Sequence, residues 1–232
     1  MFSRATWLAV AALLIAGLAG CGVVQKINSV RHAVDSNRAA VKAFTQGLKS
    51  GEAQAFSATY VTTGGSPTTI IYAAQPPDDV AFKETALGSG TANLDLVSNS
   101  SGEYSCTSAG AASGWSCQKL GKAEAIAQNQ IVNFYTPSHW VTFLNAFSVA
   151  AGFAGDKVTM SSMTVNGFPM HCVDFHAKGA GGTSTICTTA QNILGYVKVA
   201  RDATSFELKS YSASPAASLF QLPTGAKITP AS

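Results

Sequence analysis

The chain has 232 residues, a formal net charge of +3 and a charged fraction of only 12%. That fraction is about half of what is usual in soluble domains. Nucleic-acid binding requires a clustered basic face, and no such cluster is visible, so the composition argues against a nucleic-acid partner. The length allows one large domain with a proper hydrophobic core or two small domains.

The first twenty residues have the features of an export signal. Arg4 precedes the apolar run Trp7 to Ile15, and the small residues Ala19 and Gly20 stand directly before Cys21. This is the order of a signal peptide, and the run is short for a permanent transmembrane helix. Residues 18–21 resemble the lipobox of bacterial lipoproteins. The resemblance implies removal of residues 1–20, acylation of the Cys21 sulfur, and a lipid anchor on the extracytoplasmic face of the cell membrane.

An ordinary signal peptide is the alternative, and Cys21 would then be a free thiol. In either case we expect residues 21–232 to form one domain, because no repeat or internal linker is evident.

Four further cysteines remain, an even number in an oxidising compartment, where disulfides are expected. Three pairings are possible in principle. Short, glycine-containing loops close most easily, so we predict the pairs Cys106–Cys117 and Cys172–Cys187. Zinc binding is the competing interpretation, but the sequence lacks the closely spaced cysteine pair that zinc sites use.

Two stretches have helical periodicity. In residues 23–49, apolar side chains recur every three or four positions between basic and acidic ones, and the stretch ends near Gly51. The second stretch follows an Ala-rich region, Lys122 to Tyr135, and begins at Pro137, a residue favoured at the first helical position. It continues to Gly152 with almost no charge.

The remaining segments alternate between apolar and polar residues and are separated by Gly, Pro and Asp turns, which predicts an antiparallel meander. The apolar face of the first strands contains Phe56, Tyr60, Ile70, Tyr72 and Phe82. Later strands are predicted at 157–165, 194–200 and 206–212. The apolar tail segment 218–223 is predicted to clamp the domain.

No motif for catalysis, metal binding or a cofactor is present. His171 and His176 are five residues apart, which on a strand places them on opposite faces. The sequence contains no G-x-S-x-G nucleophile elbow, and its Gly-rich turns lack the lysine and the following helix of a phosphate loop. The sequence therefore predicts no catalytic residue, no metal ligand and no cofactor.

The order of the elements resembles the lipoprotein-carrier (LolA/LppX-like) superfamily and its actinobacterial lipid-carrier lipoproteins. The segments that carry the resemblance are the lipobox, the long helix, 56–60 before a Gly-Gly turn, 70–73, 76–82, 206–208 and 218–223. The resemblance implies an α+β fold. In it, a strongly curved antiparallel sheet, an incomplete barrel, wraps over helices, and a hydrophobic cavity between them takes acyl chains.

Three functions follow from these expectations, and the least favoured is an envelope hydrolase whose catalytic triad is assembled from residues far apart in the chain. The first is a lipid-anchored, non-enzymatic carrier or binder of a lipid, glycolipid or lipoprotein at the cell envelope. The alternative is a non-catalytic envelope interaction or sensor-accessory lipoprotein, whose core is filled and has no ligand cavity. The side chains predicted to line the cavity are Phe56, Tyr60, Ile70, Tyr72, Phe82, Trp140, Phe143 and Phe147.

Overall fold

The fold is given by a computed structural model. It describes residues 28–39, 41–51, 53–64, 67–86, 92–110, 113–121, 132, 136–154, 156–176, 182–201 and 203–230. The predicted signal peptide, the predicted lipidation site Cys21 and nearly all of the Ala-rich region 122–135 lie outside the described residues. Their predictions are untested by the structure.

Two helices are described. The helical residues 28–39 and 41–51, together called α1, precede the first strand, and α2 spans Pro137–Ala154. The apolar stripe of α1 is buried at Val34, Val41, Phe44 and Leu48, as its spacing predicts. Helix α2 begins at its proline, where the missing N–H removes no helical hydrogen bond. Neither helix, nor any other in the described ranges, has the length and apolarity to cross a membrane.

Twelve strands form one sheet. The strands are β1 Phe56–Thr63, β2 Thr68–Gln75, β3 Asp79–Ala86, β4 Asn93–Asn99, β5 Gly102–Ser108, β6 Ser116–Lys119, β7 Lys157–Val165, β8 Phe168–His176, β9 Thr183–Thr189, β10 Leu194–Lys198, β11 Ser205–Ser212 and β12 Lys227–Thr229. Their order across the sheet is β12-β6-β5-β4-β3-β2-β1-β11-β10-β9-β8-β7. A 3₁₀ helix, Ala217–Phe220, precedes β12.

The predicted fold class is wrong. The sheet is mixed and not purely antiparallel, because β12 runs parallel to β6. It is one large open sheet with β12 and β7 at its ends, where an incomplete antiparallel barrel wrapped over helices was predicted, and helices are a minor part of the described residues. Sequence patterning missed β12 because all three of its residues are exposed and show no alternation between buried and exposed positions.

The main core lies on the face of the sheet that carries the predicted apolar positions of β1 to β3. Ala58 stands opposite Tyr72, and Tyr72 stands opposite Phe82, so the three side chains share one face. Both helices contribute to the same buried cluster. A close approach joins them, because a Cβ on Gly152 would lie 2.7 Å from the Cα of Val34.

Both predicted disulfides are present, Cys106–Cys117 and Cys172–Cys187, each between directly opposed residues of neighbouring strands. The first lies in a small cluster with Tyr104, and Trp115 packs beside it. In the second hairpin, strand alternation places Cys172 and Cys187 on the same face as Asp174 and His176, which predicts a bridge on the wetter face. It is instead fully buried in the main core cluster.

The C-terminal tail covers part of the other face of the sheet. Phe220 packs against Ala73 and Ala81, which neighbour the core residues Tyr72 and Phe82 and therefore point the opposite way. The side-chain amide of Asn99 donates to the carbonyl of Phe220 at 2.8 Å. The tail thus acts as the predicted apolar clamp.

Candidate functional site on the second helix

Five of the predicted ligand-lining residues lie on β1, β2 and β3 and are almost completely buried. Their exposed fractions are at most 4%, and all five belong to the main core cluster. They are Phe56, Tyr60, Ile70, Tyr72 and Phe82.

Aromatic contacts fill the space between these strands. The rings of Phe56 and Tyr72 are 5.6 Å apart, and Tyr60 stacks on Phe206 with a centroid distance of 4.4 Å. The Tyr60 hydroxyl donates to the carbonyl of Leu194 at 3.0 Å, so its polar end is also satisfied. These side chains pack on one another as a core, and they present no open surface to a ligand.

The three predicted residues of α2 behave differently. Trp140 is buried, with 5% exposed, whereas Phe143 is 44% exposed and Phe147 is half-buried. The ring of Phe143 lies 5.6 Å from Trp140 and 5.6 Å from Phe147, and Phe147 meets Phe175 of β8 edge-to-face at 4.7 Å. We call Trp140, Phe143, Phe147 and Phe175 the aromatic ladder. Its rings run from the buried Trp140 through the exposed Phe143 and the half-buried Phe147 to Phe175 in the sheet.

Helical periodicity explains why Phe143 is exposed. The buried positions of α2 fall on one stripe, Trp140, Val141, Leu144, Ser148 and Ala151. Phe143 falls outside this stripe. It lies on the part of the helix surface that also carries Phe147, four residues later. The periodicity was visible in the sequence and could have separated Phe143 from the core residues.

The exposed surface of α2 has one ionisable side chain, that of His139. The segment Pro137–Ala154 contains no Asp, Glu, Lys or Arg, and its exposed positions include Thr142, Asn145, Ala146 and Ala150. A surface helix normally carries charged residues on its solvent face. The absence of these four residue types from α2 therefore suits contact with an apolar molecule.

Met160 of β7 is a further exposed apolar side chain on the helix-bearing side and was not among the predicted residues. Val158 is paired with Phe175, and Met160 is two positions further along the same face of β7. Its side chain is 44% exposed. Phe143, Phe147 and Met160, here called the apolar patch, thus lie on the helix-bearing side at one end of the sheet.

A polar cluster surrounds Glu207 of β11. Its carboxylate accepts a hydrogen bond from the Ser205 hydroxyl at 3.0 Å, and Ser205 is also hydrogen-bonded to Thr63. The pKa of the Tyr196 phenol is raised, first by burial and then by the negative charge of Glu207, while its hydrogen bond to Ser205 lowers it in part.

The histidines and acids do not assemble a metal site within the described ranges, where no group of three potential ligands occurs. His176 is hydrogen-bonded to Thr159 and Thr183 at 2.9 and 3.0 Å. His171 has the opposite strand parity, as the sequence spacing indicates. A depression of about 430 Å³ is formed by Gly182, Thr183, Lys198, Ala200, Arg201 and Ala203, none of which is a predicted ligand residue.

These features define a protein built on one open, mixed β-sheet, with two disulfides and an uncharged helix that exposes aromatic side chains. No protein-family model and no curated protein matches its sequence.

Among solved structures the chain is similar to MucB, with 13% identity and a TM-score of 0.48 over 80% of this chain and 64% of that chain. It is also similar to the MucA/MucB complex of Pseudomonas aeruginosa, with 14% identity and a TM-score of 0.47 over 78% of this chain and 61% of that chain. The chain spans less than two thirds of the length of these structures. At such values the likeness carries no argument about ligand, partner or activity.

Proposed function

We propose that the chain is a non-catalytic, lipid-anchored protein of the cell envelope that binds the acyl chain of a lipid or glycolipid on the apolar patch. One observation carries the proposal: Phe143 is 44% exposed and stacks on Phe147 in a helix without any charged residue. Exposed apolar surface of this kind marks a contact with an apolar partner. The lipobox-like segment ending at Cys21 supports the location.

The anchor makes a weak binding surface sufficient. Burial of a large apolar side chain contributes about 1.5–3 kcal/mol, and the apolar patch offers three partly exposed ones. An anchor at Cys21 would hold the domain beside the bilayer and raise the effective concentration of acyl chains near the patch. The core side chains of β1 to β3 then serve stability and not ligand contact.

Vesicle sedimentation tests this proposal with residues 21–232 carrying Cys21→Ala, which lack both the acylation site and the apolar run of the predicted signal. We expect the protein to sediment with phosphatidylglycerol vesicles and Phe143→Asp to weaken the binding by at least about tenfold, or 1.4 kcal/mol. Asn145→Asp is the matched control, since it adds the same charge at another exposed position of α2. Equal binding by Phe143→Asp and the parent protein would refute the proposal.

The filled core favours a second candidate, an envelope interaction or sensor-accessory protein without a lipid ligand. Six of the eight predicted cavity residues have exposed fractions of 5% or less. Native mass spectrometry of the lipidated protein after gentle extraction separates the two candidates. A bound lipid supports the first, whereas a clean apo mass with no uptake of offered lipids supports the second.

A further inference from the structure

The strand β7 ends the sheet, and no described strand pairs with its outer side. The strand at the opposite end of the sheet, β12, is protected against pairing with another strand. It has three residues, includes Lys227, and is followed directly by Pro230. Short length, lysine and proline are the devices by which proteins prevent pairing at an edge. The nine residues of β7 have none of them between Val158 and Val165.

One hydrogen bond shows which backbone N–H and C=O groups of β7 point outward, away from β8. The amide of Val158 donates to the side-chain oxygen of Asn37 in α1 at 3.2 Å, so it points away from β8. The register between β7 and β8 runs without a shift from Lys157 to Val165. Because backbone groups alternate in direction along an antiparallel strand, the backbone groups of Met160, Ser162 and Thr164 also point away from β8.

The side chains next to these groups are small or flexible and uncharged. Residues 160–164 are all exposed, and the nearest charge on the strand is Lys157 at its beginning. An exposed, uncharged edge of this length is a template for another extended strand.

We propose that β7 pairs antiparallel with β7 of a second copy of this chain, through residues 160–164 and with the two Ser162 residues opposite each other. If a two-fold axis perpendicular to the sheet relates the two strands, residues opposite each other point to the same face. Because side chains alternate between the faces, the axis must pass between two copies of the same residue. Centring on Ser162 sets Met160 opposite Thr164 of the partner copy, and no charges of the same sign meet.

The ends of the two strands are also compatible in charge. In this register Lys157 of one copy lies near Gly167 of the other, at the tip of the β7–β8 hairpin. The pairing itself ends at Met160, because Asn37 already binds the outward-pointing amide of Val158. The side chain of Asn166 at this tip reaches Glu207, with Nδ2 3.5 Å from Oε2. Lys157 of each copy is therefore directed toward the hairpin tip of the other copy, where Asn166 contacts the acidic Glu207. The sheet would continue from one copy into the other.

Sedimentation velocity over a range of concentrations tests the proposal with residues 21–232 carrying Cys21→Ala, so that neither acyl chains nor the apolar run of the predicted signal drive association. We expect a concentration-dependent dimer. Ser162→Lys and Ser162→Asp should each raise its dissociation constant by at least about tenfold, because like charges then stand opposite each other. An equimolar mixture of the two variants should restore the dimer.

The matched control is Ser210→Lys, which adds the same charge at an exposed position of β11, away from this edge. It should leave the dissociation constant unchanged. A parent protein that stays monomeric overturns the proposal, and so does a dimer that Ser162→Lys leaves intact. A second measurement fixes the register: Ser162→Cys should give a covalent dimer under oxidising conditions, and Ser210→Cys should not.

Discussion

The side chain of Asn37 in α1 is hydrogen-bonded to the backbone amide of Val158 in β7 at 3.2 Å. Its amide nitrogen also reaches the carbonyl oxygens of Ser148 at 3.4 Å and Asp156 at 3.3 Å. Asn37 is 4% exposed. One buried side chain therefore connects α1, α2 and the first residues of β7, and it satisfies the first outward-pointing amide of the sheet edge.

Asn37→Leu should lower the free energy of unfolding by about 2–3 kcal/mol, because the buried amide of Val158 loses its acceptor. Urea unfolding followed by circular dichroism measures this change. Arg38→Ala, at an exposed neighbouring position of α1, should change the stability by about 0.5 kcal/mol or less. If the two variants were equally stable, the connection through Asn37 would not contribute to folding.

Substitutions of Tyr60 should reveal a core residue and not a ligand contact. Tyr60→Phe removes the hydrogen bond to Leu194 and should cost about 1 kcal/mol. Tyr60→Ala removes a fully buried ring and should cost about 3–5 kcal/mol. Denaturant unfolding of both variants measures the difference. A Tyr60→Ala variant as stable as Tyr60→Phe would mean that the ring borders a cavity that it does not fill.

The two disulfides should differ in their contribution. Their loops are similar, with sequence separations of 11 and 15, so the chain-entropy contribution is about 3 kcal/mol for each. Cys172–Cys187 belongs to the main core, whereas Cys106–Cys117 belongs to a small peripheral cluster. Replacing both cysteines of the core pair by alanine should therefore lower the melting temperature more than the same change in the peripheral pair. Thermal unfolding of the two double variants checks the order.

Tyr196 should contribute to a loss of stability at alkaline pH. Burial and the charge of Glu207 raise its pKa in the folded state, so the folded protein holds the phenol proton more tightly than the unfolded chain does. The contribution of the protonated Tyr196 to the stability of the fold is complete below the usual tyrosine pKa of about 10. It is lost as the pH rises through the higher folded-state pKa.

Melting temperatures measured between neutral pH and about pH 11 should therefore fall less steeply in Tyr196→Phe than in the parent protein, because the substituted ring does not titrate. Glu207→Gln should also reduce the slope, since it removes the second cause of the raised pKa. Identical pH profiles for the parent protein and Tyr196→Phe would contradict this account.

Local patterns in the sequence predicted much of the structure. The alternation of Phe56, Ala58 and Tyr60 identified the buried face of β1, and Pro137 marked the first residue of α2. The even number of cysteines and the short loops between them predicted both disulfides. These features depend on residues close together in the chain, where periodicity and loop length are sufficient.

The candidate site was predicted only in part. The pattern grouped Phe143 with Phe56 and Tyr72 because all three are aromatic residues at apolar positions. The structure separates them, since Phe56 and Tyr72 are enclosed between strands and a helix, whereas Phe143 lies on the outer side of α2. Met160 was missed because its exposure depends on β7 having no neighbour on one side, which is a property of the strand order.

The sequence by itself determined the two helices, most strands other than β12, the apolar face of the first strands and which cysteines pair, because these properties arise from local periodicity and short loops. Only the tertiary structure decided that β12 joins the sheet in parallel, that β7 is left as an edge, and that aromatic residues fill the core while Phe143 remains exposed. These features depend on contacts between residues far apart in the chain. The lipobox-like segment around Cys21 predicts an envelope location, and the surface of α2 without Asp, Glu, Lys or Arg supports the proposed contact with an apolar molecule.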